Sequence, residues 1–231
     1  MLQRLEKWGV IAPKWSEKIN FVSNIHSKDK KELKEQMFEN LKGKHVILAS
    51  GSPRRQELLR CMGIDFIVRV KEDIEESYPK DLSAKEVPEY IAREKAQAYA
   101  DELTDNDVLI TADTVVVLDK KILGKPADAQ EAKAMLKALS GNEHKVLTGV
   151  AITTKRGQVS FTVKTKVTMR VLTQETIDHY VETYNPTDKA GAYGIQEWIG
   201  LVAIDRIEGS FQNVMGLPTQ RLYAELRALP E

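Results

Sequence analysis

The sequence predicts an α/β domain built on a mixed β-sheet that helices flank. From Lys44 onward, short apolar runs alternate with segments of helical periodicity, which is typical of an α/β architecture. Apolar and polar residues alternate over positions 159–169, as in a strand with one buried face and an antiparallel neighbour. We therefore expect a sheet with both parallel and antiparallel strands.

The composition excludes several classes of protein. Basic and acidic residues balance at 34 each, which argues against a general nucleic-acid binder and requires any anion site to be local. The single cysteine, Cys61, excludes an intramolecular disulfide and a cysteine-rich zinc site. No apolar stretch reaches the roughly 18 residues that a membrane span needs. We expect a cytoplasmic protein.

Two regions differ in composition. Residues 1–43 contain two early tryptophans and end in a Lys/Glu-rich stretch whose apolar residues recur at helical spacing. We expect this N-terminal extension to be mainly helical, either as a peripheral helix or as an arm that binds a partner. Residues 44–231 are expected to form the second region, which carries the chemistry.

Apolar runs bounded by turn residues predict the strands. The first run is short, as in a buried strand, and the second is nearly continuous and contains Asp113. The predicted strands are 46–49, 108–111 continuing into 115–118, 146–153, 158–169 and 200–207.

Capping and stop signals predict the helices. Glycine follows the first and third of them, and Asn185 with Pro186 ends the fourth. The predicted helices are 52–62, 88–102, 128–139 and 173–184. Residues 209–218 are expected to be a loop that leads into a C-terminal helix.

The segment 46–59 has the features of a phosphate site. A strand and a glycine turn lead into a helix that Ser52 is suited to cap, with Pro53 at its first position. Arg54 and Arg55 lie in the first turn, where cations are unfavourable unless an anion binds beside them. The alternative is an exposed helix start with solvated arginines.

Asp113 and Lys95 are candidates for chemistry because both interrupt apolar patterns. Burying a carboxylate in the run around Asp113 is costly unless it binds metal, pairs with a cation or transfers protons. We favour a metal ligand or general base over an aspartate held by backbone N–H groups. Lys95 lies within the apolar stripe of helix 88–102, either as a functional lysine or as one that extends to solvent.

Three further residues lie in sequence contexts that suit binding of phosphate, metal or a nucleobase. Lys125 lies between glycine and proline, either as a phosphate contact or in an ordinary surface turn. Glu76 belongs to an acidic cluster at 72–76, one member of which could complete a metal site. Gln196, in a Gly/Ala-rich segment, can donate to and accept from a base edge, with a structural turn as the alternative.

Seven motifs in order resemble the Maf family of house-cleaning nucleoside triphosphate pyrophosphatases, also called septum formation inhibitor proteins. The resemblance covers about residues 44–227. The motifs are SGSPRR at 50–55, AREKA at 92–96, ADTVV at 112–116, GKP at 124–126, SG at 140–141 with His144, DKAGAYGIQ at 188–196 and NVMGLP at 213–218.

The resemblance implies a Maf/ITPase-like fold with two lobes around a cleft, and metal-assisted hydrolysis to the monophosphate and pyrophosphate. It implies catalytic roles for Asp113, Lys95 and Lys125. Asp113 and Glu76 correspond to positions that hold Mg²⁺ or Mn²⁺. The residues expected to bind or select the substrate are Ser52, Arg54, Arg55, Thr114 and Gln196.

The branch of the family follows from the residues at the specificity positions. Arginine, threonine and glutamine there resemble the branch that acts on dTTP and UTP, and modified pyrimidine nucleotides are a further candidate. No tryptophan stands between Pro53 and Arg54, unlike in the branch acting on 7-methyl-GTP. We expect a homodimer that binds a small nucleotide and engages neither nucleic acid nor membrane. The alternative function is a non-catalytic nucleotide-binding regulator of cell division.

Overall fold

The computed structural model describes residues 37–72, 74 and 76–230. Most of the predicted N-terminal helical extension lies outside the described residues. The described part of it contains a short 3₁₀ helix at Glu39–Leu41. The elements from His45 onward belong to one compact unit that begins at Gly43. Within the described ranges, no helix has both the length and the apolar character that crossing a membrane requires.

A mixed sheet of seven strands forms the centre of this unit. The strands run in the order β2-β1-β3-β5-β6-β7, and β4 pairs with β3. They are β1 His45–Leu48, β2 Ile67–Val68, β3 Asp107–Leu118, β4 Lys121–Leu123, β5 Glu143–Thr154, β6 Gly157–Met169 and β7 Ile204–Glu208.

Helices accompany the sheet and alternate with its strands along the chain. Short 3₁₀ helices lie at Ala100–Glu102, Pro186–Asp188 and Ala190–Ala192. The α-helices are α1 Pro53–Cys61, α2 Val87–Gln97, α3 Ala129–Leu139, α4 Gln174–Tyr184, α5 Trp198–Ala203, α6 Phe211–Met215 and α7 Thr219–Arg227.

The mixed sheet is confirmed. β1 pairs in parallel with β2 and β3, whereas β3–β4, β3–β5, β5–β6 and β6–β7 are antiparallel. The alternating run predicted as an antiparallel strand is β6, whose partners on both sides are antiparallel.

Three predicted elements were wrong in part. The predicted strand 200–207 is helical in its first half, which belongs to α5. Ile199 and Ala203 are buried four residues apart, as on one face of a helix. Helix 88–102 ends as an α-helix at Gln97. The expected loop 209–218 contains α6. β3 is continuous through Asp113, as expected for strand 108–111 continuing into 115–118.

One edge of β3 is left without a strand partner over five residues. β1 pairs with this edge as far as Ile110, and β4 takes it up again at Val116. β5 covers the opposite edge across the whole interval. Among the described residues, no strand therefore pairs with this edge at residues 111–115. The space beside it is a gap in the sheet that gives access to both faces. We call it the β3 gap.

Helices pack on both faces of β3. Val115 and Val117 pack with Val87 and Ile91 of α2, whereas Val116 belongs to the cluster formed with α3 and α4. Since successive side chains of a strand alternate between faces, Asp113 lies on the α2 face and Thr114 on the opposite one.

Candidate active site

A cavity of about 400 Å³ opens at the β3 gap, a volume within the range of roughly 300–1,000 Å³ usual for ligand pockets. The loop after β1, the segment after β4 and residues 188–196 all contribute to its wall. The cavity brings together the sequence-predicted residues Ser52, Arg54, Arg55, Glu76, Lys95, Asp113, Thr114, Lys125 and Gln196.

Lys95 holds two carboxylates in the cavity. Its Nζ lies 3.1 Å from Oδ1 of Asp113 and 2.7 Å from Oε1 of Glu76. The side chains of Lys95 and Asp113 are only 14% and 12% exposed, so this lysine does not extend to solvent. A buried carboxylate in β3 is therefore matched by a buried cation, and the pair faces the cavity.

The charges around Glu76 favour its ionised form. Burial raises the pKa of this carboxyl, but the hydrogen bond from Lys95 and the positive charges of Lys95, Lys125 and Arg55 outweigh that effect, and the net pKa is lowered. With Lys95 and both carboxylates charged, the trio carries one net negative charge. A cation that neutralises this charge would be electrostatically favoured beside them.

The donor set suits a divalent cation that shares a ligand's phosphates. Mg²⁺ is commonly held by one or two carboxylates together with phosphate oxygens and water. Asp113 and Glu76 converge on the same ammonium and supply two carboxylates. No group of three or more His, Cys, Asp and Glu side chains suited to a metal occurs among the described residues. The two carboxylates would fit a divalent cation if phosphate oxygens and water supplied its other ligands.

Most of the hydrogen-bond donors of Arg55 are used in contacts with other residues of the protein. Its guanidinium donates to the carbonyl oxygens of Gly216 and Ala112 at 2.8 and 2.9 Å, and to the hydroxyls of Thr114 and Ser50 at 3.0 and 3.2 Å. Burial is the largest influence on the Arg55 pKa and lowers it, although the arginine stays protonated. Because a guanidinium has five N–H donors, these contacts leave one for a ligand. Arg55 thus fills part of the β3 gap.

Thr114 is held from the other face of the sheet. Its hydroxyl accepts from Arg55 and lies 3.0 Å from the hydroxyl of Thr148, which donates to the carbonyl oxygen of Asn213 at 2.9 Å. This chain of hydrogen bonds fixes Thr114 beside Asp113, although the two side chains belong to opposite faces.

Ser52 immediately precedes α1, as the sequence predicts. Its side chain nevertheless makes no capping hydrogen bond. The hydroxyl of Ser50 instead accepts from the N–H of Ser52 at 3.3 Å. The N–H groups of the first turn of α1 therefore receive no capping bond from Ser52.

Arg54 takes a different direction from Arg55. Its Nη1 donates to Oδ2 of Asp188 at 2.9 Å, and Oδ1 of Asp188 lies 2.6 Å from Nζ of Lys189. Nζ of Lys189 also lies 3.1 Å from Oε1 of Glu197. Asp188 and Lys189 line the cavity but are absent from the predicted site, although they begin the motif at 188–196.

Lys125 and Gln196 complete the wall from two exposed positions. Lys125 follows β4, where the N–H of Gly191 donates to the carbonyl oxygen of Gly124 at 2.9 Å. This bond joins the segment that carries Lys125 to the one that carries Gln196. The cavity therefore presents carboxylates, cations and an amide to one ligand.

Comparison with known proteins gives a consistent result. Residues 45–229 match the family model described as Maf-like protein. A dTTP/UTP pyrophosphatase of Bacteroides thetaiotaomicron is 53% identical over 193 residues, covering 84% of this chain and 100% of that protein. One of Porphyromonas gingivalis is 51% identical over 197 residues, covering 84% of this chain and 99% of that protein.

Among solved structures, a HAM1 protein from Coxiella burnetii covers 80% of this chain and 100% of its own. The two sequences are 14% identical and the TM-score is 0.42, a likeness that supports no argument about this chain.

Proposed function

The chain belongs to the Maf-like protein family, and from this premise we propose that it is a nucleoside triphosphate pyrophosphatase that hydrolyses dTTP and UTP. The products are the nucleoside monophosphate and pyrophosphate, and the role is removal of unwanted nucleotides from the pool. The relatives named dTTP/UTP pyrophosphatase support the substrate, since they are about half identical to this chain over almost their whole length.

The observation that carries the proposal is the pairing of Lys95 with Asp113 and Glu76 in a cavity that also contains Lys125 and Arg54. A site for binding alone has little need of a buried carboxylate facing phosphate. Attack of water on the α-phosphorus breaks the bond to the α–β bridging oxygen, which leaves with pyrophosphate. Asp113 accepts the proton of that water, and its Oδ1 is already oriented by Lys95.

The cations of the cavity stabilise the leaving group. Negative charge develops on pyrophosphate as the bond breaks, and fixed positive charges in a partly buried site are effective there. We assign this role to Lys125 and Lys95, assisted by the remaining donor of Arg55. Each lost group of this kind typically costs on the order of 10²-fold in rate.

Nucleoside triphosphate pyrophosphatases of this family generally need a divalent metal. We propose that Asp113 and Glu76 hold Mg²⁺ or Mn²⁺ together with phosphate oxygens of the substrate. When bound, the ion supplies positive charge that polarises the phosphates.

Substrate choice is assigned to Arg54, Thr114 and Gln196. The exposed amide of Gln196 can donate to a pyrimidine carbonyl and accept from the imide N–H. We further propose a cytoplasmic homodimer that acts on small nucleotides, without nucleic-acid or membrane partners. The balanced charge supports the exclusion of nucleic acid, and light scattering on the full chain measures the assembly.

The proposed function is tested with the purified full chain. Pyrophosphate and monophosphate release is measured for dTTP, UTP, CTP, ATP, GTP and 7-methyl-GTP with Mg²⁺ or Mn²⁺. We expect dTTP and UTP to give the highest kcat/KM, and chelation of the metal to abolish turnover. Faster cleavage of 7-methyl-GTP would overturn the substrate assignment. Nucleotide binding without pyrophosphate release would favour the non-catalytic regulator instead.

Substitution Asp113→Asn tests the catalytic step. The amide keeps an oxygen acceptor for Lys95 but cannot take a proton or supply a full negative charge to a metal. We expect turnover to fall at least about 100-fold while nucleotide binding, measured by calorimetry, is largely retained. Near-normal hydrolysis by this variant would remove Asp113 from the mechanism.

A further inference from the structure

A chain of alternating charges runs from the start of α1 to the segment that carries Gln196. Arg54 contacts Asp188, Asp188 contacts Lys189, and Lys189 contacts Glu197. The hydroxyl of Tyr180 on α4 donates to Glu197 in a short hydrogen bond. The two cations and two carboxylates cancel one another. This charge chain therefore adds no net charge that would attract the triphosphate.

The inner end of this chain is buried and rigid. The Lys189 side chain is 9% exposed, and Tyr180 is fully buried. Burying Lys189 is costly unless both carboxylates remain in place, because breaking a buried ion pair leaves an uncompensated charge. Glu197 and its partners therefore hold one geometry.

The same anchor fixes the turn that contains Gln196. The N–H of Gly194 donates to the hydroxyl of Tyr180 at 3.0 Å. A Cβ atom at Gly194 would lie 2.7 Å from Cδ of Glu197, so the carboxylate packs directly against this backbone. Residues on both sides of Gln196 are thus tied to the charge chain.

The outer end of the chain is Arg54. Its side chain is 23% exposed, and within the described residues it forms an ion pair with Asp188. An arginine has many rotamers, and holding its planar fork in one of them reduces the entropy lost when a ligand binds. Asp188 is 58% exposed, and such an exposed pair contributes little to stability.

We propose that Asp188 is a positioning residue that fixes the guanidinium of Arg54 relative to Gln196, so that both side chains meet the nucleobase together. The inference rests on the proposed function, in which Arg54 and Gln196 select the pyrimidine. Asp188 touches neither the reacting phosphate nor the metal in this assignment. Its effect therefore belongs to substrate recognition and not to the chemical step.

The test compares Asp188→Ala with a matched control. We expect kcat/KM for dTTP and UTP to fall about tenfold, mainly through KM, with kcat changed less than about threefold. We expect kcat/KM for GTP to fall less. The ratio of kcat/KM for dTTP to that for GTP should therefore decrease. The control is Asp178→Ala, which removes a 2.7 Å ion pair to Lys133 on the α3–α4 surface and should leave both constants unchanged. Circular dichroism verifies that both variants fold.

A double-mutant cycle separates positioning from support of Lys189. If Asp188 acts through Arg54, Asp188→Ala should have little further effect once Arg54→Ala is present. Asp188→Asn keeps an oxygen acceptor for Arg54 and should recover most of the loss. The same tenfold loss in the Arg54→Ala background, or an unchanged KM for Asp188→Ala, would overturn the inference.

Binding of a non-hydrolysable α,β-imido analogue of dTTP gives a readout that does not depend on turnover. Asp188→Ala should weaken this binding about tenfold, whereas Asp178→Ala should not. If the wild type binds the analogue but releases no pyrophosphate from any nucleotide, the proposed catalytic function fails while the positioning role of Asp188 is still decided by binding.

Discussion

Two basic residues of the cleft, Arg55 and Lys125, differ in what holds them. Four of the five N–H donors of Arg55 are hydrogen-bonded to the protein. Lys125 is exposed and forms no ion pair or hydrogen bond with the described residues. The family resemblance predicts that both lie near the triphosphate. The structure adds that Arg55 also joins α1 to β3 and to the segment after α6.

We therefore expect the two residues to separate stability from activity. Arg55→Ala should lower the free energy of unfolding by about 2–4 kcal/mol, because buried acceptors such as the carbonyl of Ala112 lose a charged donor. Lys125→Ala should change it by less than about 0.5 kcal/mol while still reducing turnover. Urea unfolding and pyrophosphate release measure the two quantities. Equal stabilities of the variants would show that the Arg55 contacts contribute nothing to folding.

The sequence reveals single site residues better than their partners. Asp113 and Lys95 break local apolar patterns, and the family motifs predict their roles. The contacts of Arg55 with Thr114 and Gly216 join residues 59 and 161 positions apart, which no local pattern reports. Asp188 is missed for the same reason, since an Asp-Lys pair is usually solvated.

At the scale of elements, the position of α2 decides where Lys95 lies. A Cβ atom at Gly149 would overlap the backbone of Pro88 and Glu89, so the start of α2 rests directly on β5. Gly149 is also the register partner of Asp113. The close approach of helix and strand thus sets the distance between Lys95 and Asp113.

Substitution Gly149→Ala should force α2 away from the sheet. We expect the free energy of unfolding to fall by about 3 kcal/mol through overpacking, with a loss of activity as Lys95 moves from Asp113. Gly157→Ala is the control, since nothing lies within 4 Å of a Cβ atom there. Denaturant unfolding of both variants tests this, and an unchanged Gly149→Ala protein would contradict the contact.

The sequence predicted most elements because their signals are local. Caps and stop residues bound α1, α3 and α4 almost as expected. α5 was missed because a six-residue helix is too short to show a period. Its identity depends on burial of Ile199 and Ala203 against the core, which is a tertiary property.

At the scale of the whole molecule, one buried histidine links folding to pH. His144 of β5 is 1% exposed, its Nε2 lies 2.7 Å from the hydroxyl of Tyr193, and burial lowers its pKa to about 4. An unfolded histidine titrates near pH 6.5. Between these values the unfolded chain binds one more proton than the folded chain, so acidification favours unfolding.

We expect this histidine to cost the protein about 2 kcal/mol of unfolding free energy between pH 7 and pH 5. His144→Gln cannot take up a proton but can still hydrogen-bond Tyr193, so its stability should vary less over the same interval. Urea unfolding at several pH values measures both slopes. Parallel slopes for the two proteins would show that His144 does not account for the acid sensitivity.

The β3 gap exposes an unpaired strand edge that is too short to accept a strand from another chain. An unpaired strand edge normally invites another chain to add a strand, which leads to aggregation. Here the open edge covers only residues 111–115, and β1 and β4 close it at both ends. An incoming peptide would have to begin and end within five residues, and the Arg55 guanidinium already caps the carbonyl of Ala112. The opening thus leaves room for a compact ligand at the sheet but is too short for another chain to add a strand.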